Sequence, residues 1–228
     1  MCFPTPRLPQ PAAAQRPQRA VSRRNETDYV FDFWTALGWT ILSCGIYSFY
    51  IVYRLFWRSV EHNRRRLEVL DAANPPGWGR ATATGRAEEL PPRFQAVAAL
   101  LGELRAVSGE FRDPVIWTLI VAVSGGIGQV AGYILLDMDL VRHEGAERAA
   151  EAELAAIFTA LGAPLAAPER TTKARHTYVN RIVALLLTCG LYGLWWLYDV
   201  MVEANRNHEQ DWQHEDALWV AAGTLAAR

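Results

Sequence analysis

Lysine is almost missing from this sequence. Lys173 is the only one among 228 residues, and arginine carries nearly all the positive charge. With the alanine-rich text, that bias reads as a high-GC bacterial gene. Cysteine is scarce too: Cys2, Cys44 and Cys189 are the full set of three, too few for a disulfide framework. No Cys-x-x-Cys pair offers a zinc or redox site. Net charge is −1, so there is no overall basic field to attract nucleic acid. Residues 1–27 are rich in Pro, Arg, Ala and Gln and lack the apolar core of a secretory signal. Nothing apolar precedes Cys2 to make a lipoprotein anchor, and the segment reads as a disordered cytoplasmic arm. Catalytic signatures are missing as well: there is no nucleophile elbow, phosphate loop or pair of catalytic carboxylates. Gly125-Gly126-Ile127-Gly128 follows an apolar helical stretch rather than a strand, which argues against a nucleotide loop.

What the sequence does contain is a mosaic. Three apolar blocks, about Tyr29–Trp57, Pro114–Leu136 and Tyr178–Val202, stand among strongly charged stretches. Each is longer than a soluble core helix usually needs. Ser43-Cys44-Gly45-Ile46-Tyr47 and the aromatic text to Tyr53 align without gaps on Thr188-Cys189-Gly190-Leu191-Tyr192 and the text to Tyr198. Downstream, Val60-Glu61-His62-Asn63-Arg64 matches Val202-Glu203-Ala204-Asn205-Arg206. The middle block is a diverged copy, with Ser124-Gly125-Gly126-Ile127 in the place of Ser43-Cys44-Gly45-Ile46. The chain thus divides into an arm (1–27), repeat one (28–73), a linker (74–112), repeat two (113–146), a second linker (147–176), and repeat three with its tail (177–228). Asn74-Pro75-Pro76-Gly77 reads as a helix stop, and each linker carries a short amphipathic helix: Phe94 to Val107 in the first, Leu154 to Leu161 in the second.

The structural motif is therefore Cys44, Gly45, Tyr47 and Tyr53, with Cys189, Gly190, Tyr192 and Tyr198 as its second copy and Gly126 marking the middle one. The Thr/Ser-Cys-Gly-Ile/Leu-Tyr run, with aromatics and a Val-Glu-x-Asn exit after it, resembles a family of small bacterial membrane domains of unknown function marked by Thr-x-Gly-Ile-Tyr. The resemblance covers about residues 29–70 and 178–215, and the middle copy departs from it by losing the Tyr at Gly128. It implies a helical membrane domain and brings no catalytic residues.

The apolar blocks and the resemblance lead to the expectation of an all-α integral membrane protein. Its three repeated units are broken or hairpin transmembrane helices with long cytoplasmic helical extensions, in a bacterial inner membrane. Two topologies are open: a long tilted span through each Cys-Gly, or a hairpin that turns there. Single spans would split the arginines evenly between the two sides, so the positive-inside rule favours hairpins with every flank cytoplasmic. The Tyr and Trp residues after each Gly read as interfacial anchors. Arg54 and Asp199 read as snorkelling or paired charges, and Asp137 and Asp139 as solvated boundary acids. His62, His143, and the group His208, Asp211 and His214 read as a solvated helix face with no metal-ligand spacing. The expected function is a non-enzymatic scaffold or assembly subunit without metal or cofactor. It would contact the lipid bilayer and, through its cytoplasmic helices, protein partners or further copies of itself, but not nucleic acid. The alternative is a transporter or channel element with a site at the broken helices.

Overall fold

The computed structural model describes residues 21–109, 113–168 and 177–227. Residues 1–20 of the arm, including Cys2, and Lys173 of the second linker lie outside the described residues. Among the described residues the regular structure is entirely helical: α1 (Arg24–Thr27), α2 (Phe33–Leu42), α3 (Tyr47–Ala83), α4 (Pro91–Gly109), α5 (Pro114–Ser124), α6 (Gly126–Ala160), α7 (Tyr178–Leu187) and α8 (Tyr192–Ala227). A 3-10 turn, Arg86–Glu88, joins α3 to α4.

Each apolar block is a short helix followed by a sharp turn into a long one. Asp32 caps α2, its carboxylate accepting from the Thr35 amide at 2.7 Å. Asp113 caps α5 by accepting from the amides of Val115 and Ile116, with Pro114 in the first helical position. The two outer turns are near-identical. Cys44 and Cys189 both have φ 50°, and Gly45 and Gly190 have φ 91° and 92°. The Gly45 amide donates to Thr40 O at 2.8 Å, and the Gly190 amide to Leu185 O at 2.8 Å. These two left-handed residues close the first helix in a C-capping turn. The Ser43 and Thr188 hydroxyls then accept from the amides of Tyr47 and Tyr192, each at 2.9 Å, and start the next helix. In the middle copy a single left-handed residue, Gly125 (φ 60°), makes the turn, and Gly126 already begins α6.

The chain doubles back at each turn. A Cβ at Gly193 would lie 3.2 Å from Leu185 Cδ1, across the turn, and one at Gly128 would lie 3.1 Å from Ile120 O. The long helices α3, α6 and α8, of 37, 35 and 36 residues, then run side by side. Their first halves share one apolar core: Ile51, Val52, Leu55 and Phe56 pack with Tyr133, Leu136, Trp196, Val200 and Met201, and Phe33, Ala36 and Val121 close it from the short helices. Their second halves share another, in which Val69, Leu70 and Ala73 meet Leu154, Ile157, Phe158, Leu218 and Leu225, with α4 adding Phe94, Val97, Leu101 and Leu104. Sharing both cores in the same order makes the three long helices parallel, so the three turns lie at one end.

Three expectations need correction here. The integral membrane protein with transmembrane units, and with it the inner-membrane location, is not supported: among the described residues no helix is long and apolar enough to cross a membrane. The physical reason is the turn. It leaves α2 and α7 only 10 residues each, about 15 Å of rise, against a hydrocarbon core of ~30 Å. The helix after each turn soon becomes charged. Asn74-Pro75-Pro76-Gly77, expected as a stop, lies inside α3. Helix continues there because the segment is packed: Ala73 and Ala81 are buried, and Gly77 faces Ile157, Phe158 and Phe94. That packing offsets the proline penalty of about 3 kcal/mol. Likewise Leu154, Ile157 and Phe158 belong to the end of α6 rather than to a separate linker helix.

Candidate functional site: a buried charged layer below an apolar end

Between the two apolar cores lies a layer of buried charge. Helix α3 contributes Arg58, His62, Arg65 and Arg66, spaced i, i+4, i+7, i+8 along one face. Helix α6 contributes Asp137, His143, Glu144, Glu147 and Glu151, and α8 contributes His208, Asp211, His214 and Glu215. All are buried, as are Thr27 and Asp28 at the end of α1.

His62 sits at the centre. Its Nδ1 is 2.9 Å from Asp28 Oδ1 and its Nε2 is 2.9 Å from Asp211 Oδ2. Burial alone would push this imidazole down, but the two carboxylates outweigh it and raise it to about 9. Asp28 answers in the opposite sense: burial would push it up, yet His62 and Arg65 hold it well below the usual carboxylate range. Its second oxygen accepts from Arg65 Nη2 and from the Trp212 indole N–H, both at 2.5 Å. Arg65 also donates to Glu215 at 2.8 Å and to the Thr27 hydroxyl at 2.9 Å. The His208 ring stacks on His62 with centroids 4.1 Å apart. Burial, and the positive His62 and Arg58 beside it, push His208 well below its ordinary value, so it is neutral.

Arg66 organises the other half of the layer. Its Nε donates to Glu147 and its Nη2 to Glu151, its Nη1 stands 3.3 Å from Glu215, and His214 Nδ1 lies 2.8 Å from Nη2. Burial would lower this guanidinium, but Glu147, Asp211, Glu151 and Glu215 more than reverse that. His143 Nδ1 lies 3.5 Å from Glu147 Oε2, and His214 Nδ1 lies 3.2 Å from Glu151 Oε1. One oxygen each from Glu147, Glu151 and Asp211 fall within 4.8 Å of one another, a spacing that can hold a cation. A narrow cleft, lined among others by His62, His143, Glu147, His208 and Asp211, opens beside the layer.

The histidines and Asp211, expected on a solvated face, are thus interior. Asp137, expected at a solvated boundary, is buried and accepts from the Tyr178 hydroxyl at 2.5 Å, while Asp139 is half-buried. Asp199 accepts from Arg181 at 2.5 Å, and Arg54 stacks over Tyr29 and Trp57. Sequence reasoning missed the layer. The signal available was basic and acidic residues repeating at helical spacing on three helices.

The motif residues go elsewhere. Cys44 and Cys189 are exposed at the turns, as is Gly126. Tyr47, Tyr53, Tyr192 and Tyr198 are half-buried along the bundle, Tyr198 meeting Phe33 edge-on at 5.2 Å. Around the turns the surface is apolar. Val123 is 89 % exposed, Ile127 81 %, Leu187 80 % and Leu42 75 %, with Trp39, Ile41, Ile46 and Leu191 also open. Comparison with protein-family models, with curated proteins and with solved structures finds no match.

Proposed function

We propose that this chain is a non-enzymatic helical scaffold that rests its apolar end on a lipid surface and offers its charged stalk to partner proteins. The observation that supports it is the concentration of exposed Trp, Leu, Ile and Val on three turns at one end of a parallel bundle. Large contiguous apolar surface rimmed by polar residues marks an interaction site. Here the apolar tip gives way to Tyr, Trp and Arg (Tyr50, Arg54, Trp57, Arg181, Trp195) and then to exposed charges such as Arg64 and Glu68, the gradient of an element lying in a headgroup boundary. Short helices of about 15 Å limit the contact to one leaflet, without crossing the bilayer.

Vesicle flotation tests this reading. The protein is expected to float with phosphatidylcholine vesicles, and the Leu42→Glu/Leu187→Glu variant, folded by circular dichroism, is expected to lose at least tenfold in bound fraction. A folded wild-type protein that stays at the bottom of the gradient, or one whose apolar end is covered by a second copy in a stable dimer, overturns it.

A further inference from the structure

We propose that the guanidinium of Arg54, held between the rings of Tyr29 and Trp57, binds the phosphodiester of a membrane phospholipid, so that the apolar end recognises a phospholipid surface and not apolar surface alone. The proposal rests on the lipid contact argued above and names the lipid chemistry that this end takes.

The guanidinium carbon of Arg54 lies 4.2 Å from the centre of the Tyr29 ring and 4.5 Å from that of Trp57. The rings cover the faces of the guanidinium and fix it, but they do not use its N–H groups. Its Nε is buried without a hydrogen-bond partner, while the side chain as a whole is half-buried and reaches the surface. Among the described residues no carboxylate pairs with it. At the matching place of the third copy, Asp199 accepts from Arg181 at 2.5 Å, so that charge is neutralised within the fold and the charge of Arg54 is not. Behind Arg54 stands a second arginine in the same condition. Arg58 is wholly buried, and its partners are the Asn205 side chain and the carbonyls of Tyr29, Val200 and Met201, none of them charged. Burial and the neighbouring Arg54 push Arg58 down to about 9. Two adjacent guanidiniums without a carboxylate call for an anion from outside the chain. A guanidinium stacked on both faces presents the planar fork that fits a phosphate.

The height of this group above the turns identifies the phosphate as a lipid's. Arg54 is directed away from the turn: its ring partners are Trp57, further along α3, and Tyr29, which precedes α2. From the start of α3 at Tyr47 to Trp57 the helix rises about 15 Å, half of a hydrocarbon core of ~30 Å. Trp34, at the start of α2 and the same height, is 71 % exposed. Exposed tryptophan at this level marks a headgroup boundary. With the turns among the acyl chains, the guanidinium stands at the phosphates, where an arginine extends to keep its charge out of hydrocarbon. Asp32, also at this height, caps α2 and offsets one positive charge, so the contact does not call for an anionic lipid.

The test measures partition of the full chain onto vesicles of phosphatidylcholine and onto vesicles of digalactosyldiacylglycerol, which carries no phosphate. The wild type is expected to favour phosphatidylcholine at least fivefold. Arg54→Leu, folded by circular dichroism, is expected to bind phosphatidylcholine at least fivefold more weakly and the galactolipid as the wild type does. Millimolar inorganic phosphate is expected to leave phosphatidylcholine binding unchanged; displacement of the protein from the vesicles would assign the site to a free anion and overturn the lipid as its occupant. If Arg54→Leu does not fold, Arg54→Gln and the wild-type preference between the two vesicles decide the matter. Equal binding of both vesicles by the wild type, or equal binding of phosphatidylcholine by the wild type and a folded Arg54 variant, overturns this proposal and leaves the apolar contact standing. Binding to neither vesicle overturns both.

Discussion

Asp211 on α8 lies 2.9 Å from Nε2 of His62 on α3, and through that contact two long helices, 149 residues apart in sequence, are tied at mid-length. The imidazole is charged because Asp28 and Asp211 hold it so from both sides. Its folded value of about 9 stands above the ordinary 6.5. The stabilisation it provides is therefore complete below pH 6.5 and is lost as pH rises through 9, a change of about 3 kcal/mol at ~1.4 kcal/mol per unit. Urea denaturation from pH 6 to 10 should show that decline in the wild type and a flatter profile in His62→Gln. Parallel profiles would mean that His62 does not carry the alkaline loss of stability. On the acid side Asp28, held below its ordinary 3.8, adds stability above that value that fades as pH falls.

Arg65 is a stricter case, because it is wholly buried between Asp28 and Glu215. Arg65→Met removes one charge and leaves two carboxylates in the interior. The expected cost is about 3–5 kcal/mol, read as a fall in the denaturant midpoint. A loss under about 1 kcal/mol, the worth of a surface ion pair, would mean the layer is hydrated rather than sealed.

The turns give a backbone test. Gly45 and Gly190 have open space around them, so any cost of a side chain there arises from their positive φ. Gly45→Ala and Gly190→Ala should each lose about 1–2 kcal/mol. Gly38 also faces open space but is helical, and Gly38→Ala should gain up to about 1 kcal/mol. Cys44, at φ 50°, should be stabilised by replacement with Gly. Thermal melts of the four variants check the signs.

A packing test sits one turn into α6. A Cβ at Gly128 would lie 2.1 Å from Ser124 Oγ and 3.1–3.2 Å from the backbone of Ile120 and Val121, whereas one at Gly132 would meet Phe56 at an ordinary 3.5 Å. Gly128→Ala should therefore cost about 1–3 kcal/mol by overpacking, and Gly132→Ala should be near neutral. Equal Tm values for the two would show that α5 does not press on α6 there.

The helical character and the places of the outer turns were legible from periodicity and from the repeated Cys-Gly, because a left-handed turn demands residues that tolerate it. The crossing of a membrane was a misreading of block length. The apolar text of Tyr29–Trp57 is two helices joined at Cys44-Gly45, and part of it is spent sheathing its neighbours, as Phe33, Ile51 and Phe56 do. Pro75-Pro76 misled because local chemistry favours a stop and only tertiary packing at Gly77 overrides it. The charged layer was invisible for a related reason. His62, Arg65 and Arg66 resemble a solvated face until the complementary faces of α6 and α8 are brought against them, and nothing local states that pairing.

Contact of the turn-bearing end with lipid can be read from the protein's own cysteines. In a Cys2→Ser background, Cys44 and Cys189 are the thiols, both exposed at the turns. The rate of their modification by a water-soluble maleimide is measured with and without phosphatidylcholine vesicles, beside a Glu209→Cys control exposed on the stalk. Vesicles should slow labelling of Cys44 and Cys189 at least tenfold and leave the control unchanged. Labelling of Cys44 and Cys189 at the same rate with and without vesicles would mean that the turns do not enter the lipid surface.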